Sequence, residues 1–172
     1  MLLKVVTYPD KRLKTKSSDI EEFDNELHML LDNMYETMIE NNGVGLAAIQ
    51  VGVPKRVLLI NIPDEDGNQN RDNVYEIINP KIEETSGITQ HQEGCLSVPE
   101  FYEDIERYEN ITLSYQDRHG EKVQIEATEI LSIALQHEID HLNGKLFIDK
   151  LPYGKRKKFE KEYKKLLKQK KS

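Results

Sequence analysis

Thr128-Glu129-Ile130-Leu131-Ser132-Ile133-Ala134-Leu135-Gln136-His137-Glu138-Ile139-Asp140-His141-Leu142-Asn143-Gly144 is the stretch on which the reading of this chain turns. Thr128 is an N-cap residue type and Gly144 a helix stop, so a helix over residues 129–143 is predicted. Ile130, Leu131, Ile133, Ala134, Leu135, Ile139 and Leu142 lie on nearly every side of it, which marks a buried helix rather than one resting on a surface. His137 and His141, four residues apart, share one face at a separation suited to a first-row metal. Glu138 can reach a water on such a metal without being a ligand. In an interior, an unpaired imidazole or carboxylate is costly, so these residues need a common purpose. The only cysteine, Cys95 in Glu93-Gly94-Cys95-Leu96-Ser97, offers a third ligand. Three protein ligands leave one position open, which is the arrangement of a catalytic site. The pattern reads as a metallohydrolase.

Working outward, Asp24 is a predicted N-cap for an N-terminal helix carrying Leu27, Leu30, Leu31, Met34 and Met38 and ended by Asn41-Asn42-Gly43. Val57–Ile62 reads as a buried strand, and 74–79 and 82–84 as strands broken at Pro80. Ile111, Leu113 and Tyr115 alternate, as do Val123, Ile125 and Ala127, across a turn at Asp117–Gly120, so an antiparallel hairpin is predicted. After Pro152 and Gly154 comes a last helix with a narrow apolar stripe of Phe159, Tyr163, Leu166 and Leu167. At 172 residues the chain is read as one domain, 1–172, with 153–172 its basic C-terminal helix. One cysteine excludes an internal disulfide. No stretch reads as a transmembrane run, and Met1–Val6 is too soon interrupted to read as a signal peptide, so a reducing cytoplasm is the expected location. The net charge of -7 is uneven. Residues 155–172 carry ten Lys/Arg against two acids, a net of +8, which leaves -15 for the rest. That asymmetry suits either a polyanionic partner or a merely solvated helix face.

A third stretch, Gly43-Val44-Gly45-Leu46-Ala47-Ala48-Ile49-Gln50, lacks the third glycine and the preceding strand of a dinucleotide fingerprint. Its small residues allow another backbone to come close, and the Gln50 amide could donate to an oxyanion. Taken together and in order, residues 43–50, 93–97 and 136–141 resemble the three motifs of the peptide deformylase family, and the basic tail resembles its bacterial type. The resemblance implies an α+β fold, with antiparallel sheets surrounding a buried central helix that bears the HExxH motif. It implies a hydrolase that removes the N-formyl group from the formylmethionine of new polypeptides, releasing formate. It also implies a metal held by Cys95, His137 and His141, with Fe(II) as the physiological ion and zinc, nickel or cobalt able to replace it. The remaining roles it implies are Glu138 as general base, and Gln50 and the Leu96 N–H as oxyanion donors. A substrate-binding set of Val44, Gly45, Glu93, Gly94, Ile130, Ile133 and Ala134 would receive the methionine, and an Asp140–Arg107 ion pair, shared with Glu93, would stand behind the ligands. Bacterial members use the basic helix to dock at the ribosome. No assigned catalytic residue lies beyond His141, so loss of the tail is expected to spare peptide turnover.

This sequence departs from the family's pattern at His91, where an aliphatic residue is usual, and in the loop after Cys95, which lacks a common arginine. Phe101 and Tyr102 fall where that loop would meet the peptide. Two rival readings carry less. An HExxH endopeptidase of the metzincin kind would need a third histidine where Phe147 stands, and one of the thermolysin kind would need a glutamate, with only Glu160 and Glu162 near the right distance. A structural metal module would need a fourth ligand, with His28, His91 and His119 to choose from and only His91 near Cys95.

Overall fold

The computed structural model describes residues 1–171, with the side chains of Lys170 and Lys171 and the whole of Ser172 outside the described part of the basic tail. Helix α1 (Asn25–Glu40) begins at the predicted cap: Asp24 Oδ1 accepts from the Leu27 N–H at 3.1 Å. Its buried stripe of Leu27, Leu31, Met34 and Met38 packs on Leu46, Val57, Leu59 and Ile78.

Five antiparallel strands follow one another in chain order in a single sheet: β1 (Gly45–Ala47), β2 (Val57–Ile60), β3 (Tyr75–Cys95), β4 (Val98–Gln116) and β5 (Lys122–Thr128). The expectation of several sheets thus becomes one continuous ladder whose two longest strands are interrupted by register shifts, which bend a sheet without ending it. The predicted break at Pro80 is such a place. Strand β3 runs on through it, with Asn79 at φ 53° and the register slipping between Ile78 and Lys81. A proline costs no hydrogen bond where the ladder is already interrupted. The predicted hairpin of β4 and β5 is present and pairs Ile111 with Ala127, Leu113 with Ile125 and Tyr115 with Val123. The long β3–β4 hairpin, closed by the turn at Leu96 and Ser97, was not among the predicted elements.

Helix α2 (Glu129–Leu142) follows β5 directly. Thr128 stands at its N-cap position without a side-chain cap, and Glu129 enters at φ 54°. From Ser132 onward all but Ala134 and Asp140 are buried, but Ile130 is 43% exposed, so the helix is not enclosed along its whole length as its apolar pattern suggested. Leu135, Ile139 and Leu142 pack against Ala47, Leu58, Ile60, Ile77 and Leu113.

Helix α3 (Tyr153–Lys171) corrects a second expectation. Phe159 and Tyr163 are 1% and 6% exposed, in a cluster with Val6, Leu13, Val98, Ile105 and Phe147. Rings of Tyr8, Phe101, Phe159 and Tyr163 meet at centroid distances of 4.4 to 5.5 Å. The stripe is narrow because a few large aromatics do the burying, so the tail is part of the core rather than a separable appendage. No described helix is long and apolar enough to cross a membrane.

Candidate active site

The three sequence motifs meet at the floor of one cavity of about 630 Å³. The β3–β4 turn places Cys95 at a strand end, and the Tyr8 N–H holds that turn by donating to the Ser97 carbonyl at 2.7 Å. The short helical turn Ala48–Val51 positions Gln50, whose carbonyl accepts from the Val6 N–H. Helix α2 supplies His137, Glu138 and His141.

His141 Nε2 lies 3.3 Å from both Cys95 Sγ and His137 Nε2. Among the described residues these three are the one group of His, Cys and carboxylate donors close enough to share a metal ion. Their protonation suits that purpose. Glu93 Oε1 lies 2.8 Å from His137 Nδ1. An ionised carboxylate only accepts, so Nδ1 carries a proton and Nε2 is the nitrogen turned toward His141. Cys95 Sγ accepts from the Ser97 N–H and from Gln50 Nε2, both at 3.4 Å, and so faces the histidines as an electron-rich atom. The three donor atoms lie within 4.8 Å of one another. For metal–nitrogen bonds of about 2.0–2.1 Å and metal–sulfur bonds of about 2.3 Å, tetrahedral edges are roughly 3.3–3.6 Å. The 3.3 Å separations fit that geometry.

Electrostatics point the same way. Burial disfavours charge on both imidazoles, but the Cys95 and Glu93 partners outweigh it at His137 and hold its pKa well above the ordinary value. At His141, burial and the adjoining His137 push the pKa well below it. The pocket therefore stabilises one positive charge among these side chains, and a cation would compete for the lone pair a proton takes.

Behind Cys95, His137 and His141 stands the expected ion pair. Arg107 donates from Nε and Nη2 to the two oxygens of Glu93 at 2.7 and 2.8 Å, and from Nη1 to Asp140 Oδ2 at 2.5 Å. Burial would raise the Glu93 carboxyl, yet the hydrogen bonds from Arg107 and His137 hold it down to about 2. Asp140 Oδ2 also faces Lys150 Nζ at 3.8 Å.

Glu138 is different. Burial pushes its carboxyl up to about 7, with His137 acting against the rise. Its Oε2 is buried and has no hydrogen-bond partner among the described residues. Gly45 makes room for it: a Cβ there would lie 3.1 Å from Glu138 Cγ and Oε1. Close approach in the first motif is thus to a side chain rather than, as expected, to another backbone. Gln50 Oε1 accepts from the Ala47 N–H at 2.9 Å, which fixes the amide's orientation and turns Nε2 toward Cys95 and, at 3.1 Å, Ser97 Oγ.

Val44, Gly45, Glu93, Gly94, Leu96, Ile130, Ile133 and Ala134 all line the cavity, as does His91. Of the two loop aromatics only Tyr102 does. Phe101 turns the other way, onto Phe159 and Phe147. Asn41 and Asn42 also line the cavity, and Ser97 Oγ accepts from Gln50 Nε2; short polar residues in turns carry no distinguishing signal in the sequence. His28 and His119 pair with each other, ring centroids 5.4 Å apart, and neither joins the cluster.

A family model described as polypeptide deformylase matches residues 2–157. Peptide deformylase from Wolinella succinogenes is 60% identical, with 95% of this chain and 96% of that protein covered. Peptide deformylase from Helicobacter pylori strain HPAG1 is 56% identical over 99% of this chain and 98% of its own length. The crystal structure of a peptide deformylase from Legionella pneumophila superposes with a TM-score of 0.89 at 38% identity, covering 99% of this chain and 98% of that one. With three motifs brought to one metal-ready cavity and likeness along nearly its whole length, the chain belongs to the peptide deformylase family.

Proposed function

We propose that Cys95, His137 and His141 hold a divalent metal ion and that Glu138 is the general base in this family's reaction, removal of the N-formyl group from N-terminal formylmethionine. The observation that carries the reading is Glu138 Oε2, a buried carboxylate oxygen with no partner among the described residues, beside three convergent donor atoms. When bound, the ion supplies Lewis acidity toward a carbonyl and a water. Glu138 takes a proton from the attacking water and passes it to the leaving amine, so formate and a free amino terminus result. A carboxyl near 7 is matched to both transfers. Gln50 Nε2 and the Leu96 N–H donate to the carbonyl oxygen as negative charge develops. For this the Gln50 amide gives up its long contact to sulfur while Ala47 keeps it aimed. Glu93 keeps the proton on His137 Nδ1, and Arg107 and Asp140 keep Glu93 in place. Val44, Ile130, Ile133 and Ala134 wall the methionine pocket, and Gly45 and Gly94 line the same cavity, one making room for Glu138 and the other for the Tyr102 ring.

The reading takes residues 1–172 as one catalytic domain with α2 as its central helix. Fe(II) is its physiological ion, with zinc, nickel or cobalt as substitutes. The affinity order favours zinc over iron, so occupancy follows supply. The partners are nascent formylated chains in the cytoplasm, and the ribosome through the lysines of α3. The test is Glu138→Ala in anaerobically purified protein, with elemental analysis. Metal content should stay and formate release from a formyl-Met peptide should fall by about 10²–10⁴-fold. Near-normal turnover by the metal-loaded variant overturns the assignment.

A further inference from the structure

The β3–β4 hairpin extends beyond the site, and its outer side has no role in the chemistry above. Cross-strand pairs fix which residues share that side. Thr89 pairs with Arg107 and His91 with Ile105, and both Arg107 and Ile105 are buried toward the molecule. Side chains alternate along a strand, so the intervening pairs point outward: Gln92 with Asp104, Gln90 with Glu106, and Ile88 with Tyr108. Ile88 is 65% and Tyr108 46% exposed, an apolar cross-strand pair left in water. These outward pairs contain no lysine or arginine, and no ion pair to Asp104 or Glu106 occurs among the described residues.

This side is continuous with the catalytic cavity. Tyr102, 64% exposed, lines the cavity and lies close against Gly94, where any Cβ would run into its ring. Gln92 also lines the cavity and belongs to the first outward pair. From Tyr102 to Tyr108 the strand covers about 20 Å at about 3.3 Å per residue, the reach of roughly six residues of extended peptide. Aromatic platforms at both ends and two unpaired carboxylates between them match an extended chain carrying cationic side chains.

We infer that the outer side of this hairpin, from Tyr102 to the Ile88–Tyr108 pair, binds the substrate chain beyond its first three residues and selects for lysine and arginine there. The inference rests on the deformylase reading of the cavity and adds to it a preference between long substrates. The occupant is the substrate itself, because the surface begins where the cavity opens.

The experiment compares formate release from ten-residue peptides that begin formyl-Met-Ala-Ser and carry either lysine or glutamate at positions five to eight, with three-residue formyl-Met-Ala-Ser measured beside them. Wild type should favour the lysine peptide in kcat/KM by about three- to tenfold at low salt, the range two exposed charge pairs support, and the preference should shrink toward unity near 0.5 M salt, roughly. The double variant Asp104→Lys, Glu106→Lys should erase or reverse it. Turnover of the short peptide reports the catalytic site alone, so a failure of that site is read apart from a failure of this surface. Equal rates on the two long peptides in wild type, or a lysine preference that survives the double charge reversal or high salt, overturns the inference.

Discussion

Replacing Arg107 by methionine removes the guanidinium that holds the ligand shell while keeping most of the buried volume. Arg107 is buried and donates three hydrogen bonds, two to Glu93 and one to Asp140. Asp140 loses little, because it is partly exposed and retains Lys150 nearby. Glu93 loses its guanidinium partner in a buried setting and keeps the His137 imidazole beside it. Breaking a buried pair in this way costs about 3–5 kcal/mol. The carboxyl itself gives an independent figure. Its pKa is held at about 2 against an ordinary value of 4.5, and at about 1.4 kcal/mol per unit that linkage is roughly 3 kcal/mol, part of it owed to His137. The sign follows from the depressed value: this stabilisation is complete above about 4.5 and is lost as pH falls through about 2. The expected result is therefore a loss of about 3 kcal/mol in urea unfolding at pH 7, with the gap to wild type closing in acid. Without Arg107 to fix its carboxylate, Glu93 also orients His137 poorly, so metal affinity by competition titration should drop about 10–100-fold. Arg107→Lys, which keeps the charge but not the fork, should fall between the two. A stability change under about 1 kcal/mol at pH 7 together with unaltered metal affinity would refute the reasoning.

Gly45→Ala should retain metal and lose turnover by about tenfold, since the new methyl group displaces the Glu138 carboxylate by a few tenths of an ångström; unchanged kcat would show that Glu138 has room to yield. Phe159→Ala should cost about 3–5 kcal/mol in thermal or urea unfolding, and truncation at Gly154 should destabilise the protein for the same reason, an outcome checked by comparing unfolding midpoints. Charge reversal at the exposed Lys161, Lys164 and Lys168 should weaken ribosome co-sedimentation while sparing the turnover of a short formyl-Met peptide, and wild-type binding should fall steeply between roughly 50 and 200 mM salt. Salt-independent pelleting would count against the proposed docking.

Much of the candidate site was legible in the sequence because its residues stand at fixed short spacings. Two histidines four apart on a helix share a face whatever surrounds them, and a glutamate beside the first is bound to lie near. Helix α1, the β4–β5 hairpin and helix α2 were likewise local: caps, alternation and apolar spacing act within a few residues. The long β3–β4 hairpin was hidden because its middle, from Thr85 to Glu93, has polar residues toward both sides, one facing water and the other an ion-pair cluster. Alternation cannot mark a strand whose buried side is Arg107 and Glu93. For the same reason the sequence could name Asp140, Arg107 and Glu93 only through resemblance, since their contact spans residues 93 to 140 and exists only once sheet and helix are packed. Tertiary structure alone also decided that α3 belongs to the core. Four apolar residues among lysines look like a thin stripe, and only the facing rings of Tyr8, Phe101 and Phe147 show how much burial two aromatics provide there. Local spacing thus determined which groups could do the chemistry, while their protonation, orientation and freedom from other partners came from long-range packing, because burial and charge pairing depend on everything that surrounds a side chain.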